Sequence, residues 1–316
     1  MASLYIITTE QCQMKCPFCY TKFINDFNQI GKDDSLIDTD TAVKVINIGY
    51  KKDGRTEPFE YVIFHGGEPL LVPEKILDII DRVDNKIIKY GIQTNLDYKQ
   101  LSQKQIEVLQ RIGSYGTSYS YDRFLGQEQS ALNMIKNIKL LNSLGIKGSL
   151  LVTVTEAQYN NQNPWSLNKF IKENMPGIES VILERPIFPI DEIDKDPAKY
   201  ENIYNEVDKF MYQSLDAFDL DFCDVYGRFR DSIINQRPFY PIKCSEFTLT
   251  LYKNKLKYGC PSLEAKNDKI DNDFNKISNR CIRCKYYKYC GGDCECMNHI
   301  CAFPKRTFER IREMIK

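Results

Sequence analysis

"SLYIITTEQCQMKCPFCY", Ser3 to Tyr20, begins as an apolar, β-branched run and ends in three cysteines. Ser3 to Thr9 reads as a buried strand, because β-branched side chains suit a pleated surface and polar residues close the run. Cys12, Cys16 and Cys19 follow at once in the spacing CxxxCxxC. A strand of a parallel sheet delivers such a loop to the sheet's C-terminal edge, where α/β folds keep their chemistry. The stretch therefore asks for more parallel strands downstream, and for something that three thiolates can hold.

Five further runs have strand character: Glu60 to Gly67, Lys86 to Asn95, Ser114 to Tyr121, Lys147 to Thr155 and Ser180 to Phe188. Helical patterns lie between them, such as Asp38 to Lys52, Pro73 to Asp84 and Ser130 to Gly145, the last closed by its glycine. Strands alternating with helices imply an α/β fold, either an open doubly wound sheet or a partial (β/α) barrel. In both, "HGGEP" (His65 to Pro69), after the second strand, shares an edge with the cysteine loop.

Lys plus Arg equals Asp plus Glu, 43 against 43, so charge offers no argument for nucleic acid or an anionic membrane as partner. No uninterrupted apolar run reaches spanning length and no charged region precedes an apolar stretch at the start, so the expectation is a soluble cytoplasmic chain, with no membrane partner. Twelve cysteines in that compartment point to metal rather than disulfides. Zinc prefers four ligands in CxxC pairs, and nothing near Cys19 supplies a fourth. Three thiolates on a cubic iron–sulfur cluster instead leave one iron open.

With these residues in view, the chain resembles the radical S-adenosylmethionine enzymes. Cys12, Cys16 and Cys19 match that family's cluster loop, and Gly66, Gly67, Glu68 and Pro69 match its GGEP segment. The resemblance implies a partial (β/α)6 TIM-like barrel with a [4Fe-4S] cluster. Its open iron chelates S-adenosylmethionine, which one electron cleaves to methionine and a 5′-deoxyadenosyl radical that takes a hydrogen atom from the substrate. The two glycines are expected to let backbone approach the methionine moiety, and Glu68 to accept from its ammonium. Ser118 and Ser120, with Asp122 behind them, are expected on one side of their strand, holding ribose hydroxyls. Thr94 and Asn95, at the end of the third strand, face the same cavity and touch cofactor or substrate. His65 is read as filling space.

The C-terminal third repeats the cysteine theme. Phe247 to Cys260 alternates and turns near Lys253 and Asn254, which predicts a β-hairpin whose mouth brings Cys244 and Cys260 together. "CIRCKYYKYCGGDCECMNHIC" follows. The order resembles the SPASM extension of the same enzymes, a small cysteine-rich α+β domain with a β-hairpin and two auxiliary [4Fe-4S] clusters. Carried over by position, Cys244, Cys260 and Cys294 hold the first and Cys281, Cys284, Cys290 and Cys301 the second. The fourth ligand of the first stays open between Cys223, Cys296 and a vacant site, and Cys223 alone reads as a small buried hydrophobe. The domains expected are residues 1–190 (barrel), 191–236 (helical linker) and 237–316 (SPASM domain and C-terminal helix).

The function expected is hydrogen abstraction from a peptide, leading to crosslinking, dehydrogenation or epimerisation, with an electron donor such as flavodoxin or ferredoxin. The family offers a second substrate class, a small alcohol or sugar. A zinc-bearing binding module is the non-enzymatic alternative, and it leaves the N-terminal triplet unexplained. No peptide-recognition segment is expected ahead of Cys12, which weighs against the peptide. No residue presents itself as a catalytic acid or base.

Overall fold

The computed structural model describes residues 2–16, 18–19, 36–52, 54–186, 188, 190–236, 248–258, 283–286, 289 and 303–316. In chain order its elements are β1 (Ser3–Thr9), α1 (Thr39–Ile48), β2 (Tyr50–Lys52), β3 (Arg55–Glu57), β4 (Tyr61–Gly66), α2 (Pro73–Arg82), β5 (Lys89–Thr94), α3 (Gln103–Ile112), β6 (Ser114–Tyr119) and α4 (Glu128–Ser143). They continue as β7 (Lys147–Thr153), α5 (Glu156–Asn161), α6 (Pro164–Asn174), β8 (Ile178–Glu184), α7 (Ile190–Lys195), α8 (Pro197–Ala217), α9 (Asp224–Ile234), β9 (Thr248–Tyr252), β10 (Lys255–Tyr258) and α10 (Lys305–Ile315).

The main sheet runs β10-β9-β1-β4-β5-β6-β7-β8. Strands β1, β4, β5, β6, β7 and β8 are parallel neighbours, the arrangement of a partial (β/α)6 TIM-like barrel. Their register sorts side chains onto two faces, since paired residues of parallel strands point the same way. One face carries Leu4, Ile6, Val62, Phe64, Leu150, Val152 and Val181, all without exposed surface, and the helices cover it. The other carries Tyr5, Ile63, Gln93, Ser118, Ser149 and Ser180, all half-buried, and forms the inner wall.

Local chemistry sets the element ends. Asp38 caps α1 by accepting from Thr41 N at 2.9 Å, and Ser102 and Gln105 form a capping box on α3. After α4 the chain leaves through Gly145 at φ +77, and Ile146 N reaches back to Leu141 O at 2.9 Å. The helix expected over Asp38 to Lys52 stops at Ile48, because Gly49 (φ +80) turns the chain so close to Glu57 O that a Cβ would lie 2.2 Å away. The short β2–β3 pair takes over from there.

Lys253 (φ +46) and Asn254 (φ +60) make the expected tight hairpin turn. The hairpin also joins the main sheet. Strand β9 pairs parallel with β1, from Ser3↔Thr248 to Ile6↔Leu251, so it continues the barrel sheet and covers what would be an open edge. Asn254 Oδ1 also accepts from Asp38 N at 2.9 Å, tying the turn to the start of α1.

Farther along, the carboxylate of Asp208 on α8 accepts from Arg306 N at 2.9 Å and Thr307 N at 3.1 Å, capping α10 from a distance. Phe229, Tyr286, Tyr289, Phe303 and Phe308 interlock at ring separations of 4.9–5.8 Å, which anchors the residues flanking Cys284 on α9.

Candidate functional site

The GGEP segment and the cysteine loop are locked together backbone to backbone. Gly67 N donates to Thr9 O at 2.8 Å and Glu68 N to Gln11 O at 2.7 Å. A Cβ on Gly66, which sits at φ +139, would stand 2.3 Å from Thr9 O, and one on Gly67 would stand 2.1 Å from Gln11 O. The two glycines thus let one loop lie against another, and this contact already requires them.

The Glu68 carboxylate, expected to accept from a ligand ammonium, has no exposed surface and accepts hydrogen bonds from the protein around it. Oε1 accepts from Leu70 N at 3.0 Å and from Thr94 Oγ1 at 2.7 Å, while Oε2 accepts from Asn95 N at 2.7 Å. Two backbone N–H groups and a hydroxyl converge there because Pro69 starts a tight turn and β5 ends opposite it. Burial pushes the Glu68 pKa up to about 7, against the pull of these hydrogen bonds.

Asn95 carries the connection to the cysteines. Its Oδ1 accepts from Gln13 Nε2 at 3.1 Å, and its Nδ2 donates to Cys12 Sγ at 3.5 Å. Met14 N donates to the same sulfur at 3.4 Å. The Cys12 thiol is pushed up to about 12, first by burial, with Glu68, Cys16 and Cys19 adding repulsion. Cys16 and Cys19 lie in the same turn, where Cys19 N donates to Cys16 O at 3.3 Å. Among the described residues no three His, Cys, Asp or Glu side chains have the geometry of a single metal ion's ligand set. Thiolates of a cubic cluster bind different iron atoms and stand further apart than ligands of one ion. Three thiols in one loop, with two N–H donors aimed at a sulfur, fit such a cluster.

A polar row crosses the inner wall beside them. Gly66 N donates to His65 Nδ1 at 2.8 Å, so the proton sits on Nε2, which faces Gln93 Oε1 at 2.9 Å; Gln93 Nε2 in turn reaches Ser118 Oγ at 3.4 Å. Burial holds the His65 pKa down at about 4, so the ring is neutral. His65 therefore orders the wall instead of filling space, a role that only the strand register reveals.

Ser118 is half-buried on this wall. The alternation expected from Ser118 to Asp122 ends at Tyr119: Ser120 is buried, and Asp122 lies on a tight turn where it accepts from Thr155 Oγ1 at 2.5 Å. Next to the cysteine loop, a cavity of about 250 Å³ is lined by Phe18, Asp122, Thr155, Phe188 and Tyr200, among others.

Arg123, on the same turn, escaped the sequence reading. It is 2% exposed and hydrogen-bonds to Ser118 O and Asn95 O, each at 2.9 Å, and to Ser130 Oγ at 2.9 Å. An arginine beside an aspartate in a loop looks like a surface residue, and no spacing betrays it.

Cys223 is buried in the core, its backbone bridged to Val181, as a small hydrophobe would be. Cys284 is half-buried. Cys244, Cys260, Cys281, Cys290, Cys294, Cys296 and Cys301 lie outside the described residues.

Comparisons with known proteins bear on the fold and the family. An uncharacterized protein of Archaeoglobus fulgidus is 33% identical over 110 residues, 35% of this chain, and the match spans 23% of that relative's length. SuiB of Streptococcus suis shares the fold, with a TM-score of 0.54 at 16% identity, covering 92% of this chain and 72% of that one. A family model described as the Radical SAM superfamily matches residues 6–171, a stretch that includes Cys12, Cys16, Cys19 and the GGEP segment. That is more than half of the 316 residues, and the chain belongs to the radical SAM superfamily.

Proposed function

We propose that the chain is a radical S-adenosylmethionine enzyme that abstracts hydrogen from a peptide, with Cys12, Cys16 and Cys19 as ligands of a [4Fe-4S] cluster. The observation that carries this reading is the placement of the cysteine loop, locked to GGEP at the C-terminal edge of a polar inner wall. When bound, the cluster and S-adenosylmethionine supply one-electron chemistry that ends in removal of a hydrogen atom.

The chain's own residues hold the geometry. Gly66, Gly67 and Pro69 shape the loop contact, and Glu68 fixes Thr94 and Asn95 from behind. Asn95 and Met14 N donate to Cys12 sulfur and so favour its thiolate. Ser118, half-buried on the wall, and Ser120, buried just before the turn, are the candidates for the ribose hydroxyls. Phe18 shields one side of the cavity from water.

The peptide as substrate rests on the C-terminal cysteine order and its likeness to SPASM domains, together with an inner wall whose polar groups are half exposed. On that reading Cys244, Cys260 and Cys294 serve one auxiliary [4Fe-4S] cluster, and Cys281, Cys284, Cys290 and Cys301 another. The barrel then spans residues 1–190, the helices of 191–236 link it to a cysteine-rich segment within 237–316, and β9 returns to the barrel sheet. An electron donor of the flavodoxin or ferredoxin class delivers the electron. Among the described residues no helix is long and apolar enough to cross a membrane.

The test is anaerobic reconstitution followed by measurement of iron and of 5′-deoxyadenosine formed from S-adenosylmethionine. Replacing Cys12, Cys16 and Cys19 by Ala should remove one cubic cluster's iron and all cleavage. Stoichiometric zinc in place of iron refutes the reading. Incubation with peptides encoded beside the gene should then give a loss of two mass units, or deuterium uptake at unchanged mass; stimulation of cleavage by a small alcohol alone transfers the substrate assignment to that class.

A further inference from the structure

Arg123 is a buried cation that, among the described residues, makes no hydrogen bond or ion pair with a carboxylate. Its five N–H groups are all spent on neutral acceptors: Nε on Ser130 Oγ (3.3 Å), Nη1 on Ser118 O (2.9 Å) and Met134 Sδ (2.8 Å), and Nη2 on Asn95 O (2.9 Å) and Ser130 Oγ (2.9 Å). No carboxylate among the described residues hydrogen-bonds or ion-pairs to it. With 2% of its surface exposed and its donors taken, it has nothing left with which to grip a ligand. A guanidinium stays charged even here, and a buried charge held by neutral acceptors, with no carboxylate bonded to it among the described residues, costs folding energy that a protein retains only for a return.

The return is found on the other side of Asn95. The carbonyl of Asn95 accepts from Arg123, and its side chain donates to Cys12 sulfur at 3.5 Å. Burial lowers the pKa of Arg123, while Cys16, Asp97, Glu68 and Cys12, in that order, act to raise it, which places the guanidinium within electrostatic reach of the cysteine loop. A cubic cluster held by three thiolates is an anion, and its negative charge grows by one when it accepts an electron. A fixed positive charge in a dry environment favours the more negative form.

We infer that Arg123 is a positioning residue that sets the reduction potential at the Cys12, Cys16 and Cys19 site, by supplying through its charge the counter-ion that the reduced cluster needs. The inference rests on the proposed cluster assignment. It adds a means by which this chain makes electron uptake easier before any substrate arrives.

The experiment is a redox titration of the reconstituted protein without S-adenosylmethionine, followed by electron paramagnetic resonance, on variants that each keep their iron. Arg123→Met should lower the equilibrium constant for reduction at least tenfold, about 59 mV for a one-electron couple, while Arg123→Lys stays within threefold of the parent. Ser130→Asp leaves the arginine in place and sets a carboxylate beside it; it should lower the constant as Arg123→Met does, and it serves if the Met variant does not fold. An unchanged midpoint in Arg123→Met or Ser130→Asp overturns the inference, as does a fall in Arg123→Lys equal to that in Arg123→Met, which would mark a structural strut. A parent protein that takes up no cluster overturns the cluster assignment itself, and this inference with it.

Discussion

On the outer face of the sheet Leu4, Phe64, Leu150 and Val181 are fully buried, whereas on the inner face Gln93, Ser118, Ser149 and Ser180 keep part of their surface open. Closed parallel barrels fill their interior with layers of bulky branched side chains. Here the inner wall carries Gly91 and Gly116 as well as the polar row from His65 to Ser118. The stabilising core has moved outward, between sheet and helices, and the interior is left as working space. Folding and chemistry thus depend on opposite faces of the same strands.

The sharpest way to break that comparison is to empty the outer face. Phe64 is fully buried and stacks on Tyr90 at 5.9 Å, so Phe64→Ala should cost about 3–5 kcal/mol in urea unfolding. A cost below about 1 kcal/mol would mean that the outer face is not the core.

A pH experiment probes where the two faces meet. The carboxyl of Glu68 rises from 4.5 to about 7 on folding, so between those values the folded state holds the extra proton and stability falls as pH rises. His65 drops from 6.5 to about 4, so the unfolded state holds the extra proton and stability rises with pH over that interval. From about pH 4.5 to 6.5 the two slopes oppose, and the iron-free protein should show a nearly flat profile from this pair. Glu68→Gln should uncover a gain of roughly 3 kcal/mol with rising pH, and His65→Asn a loss of similar size. Parallel profiles in parent and both variants would show that neither group titrates as its burial implies.

Gly67→Ala acts on the loop contact instead of on either face. The new Cβ meets the carbonyl of Gln11, which is backbone and can retreat only by moving the cysteine loop. The expected cost is about 1–3 kcal/mol, together with loss of iron at the Cys12 site on reconstitution. Normal iron uptake would show that the loop tolerates the shift.

Local signals made much of this legible in the sequence. The strand Ser3–Thr9 is bounded by its own residue types, Gly145 ends its helix, and Lys253 and Asn254 turn their hairpin. The apolar periodicity of the first helix did not show where it ends, because its stop at Ile48 depends on Gly49 lying against Glu57. What stayed hidden depends on distance along the chain. The pairing of β9 with β1 joins residues more than 240 positions apart, and the burial of Glu68 and Arg123 follows from three loops converging. Types and spacings identified the cysteine loop and GGEP as a pair, whereas the partners of each side chain needed the folded arrangement.

The smallest expected effect is the most informative about the inner face. Ser149 and Ser180 share a hydrogen bond of 2.8 Å across β7 and β8, and both are half-buried. A buried pair of this kind contributes about 0.5–1.5 kcal/mol, but here water can satisfy whichever hydroxyl remains, so no donor or acceptor is stranded. Ser149→Ala should therefore change stability by less than about 0.5 kcal/mol while the fold and iron content stay as they were. Any effect it has should be on ligand or substrate affinity, because the hydroxyl belongs to the wall that faces the working space. If Ser149→Ala instead costs as much as a buried aliphatic on the outer face, the inner wall holds the fold together after all, and the division of labour between the two faces fails.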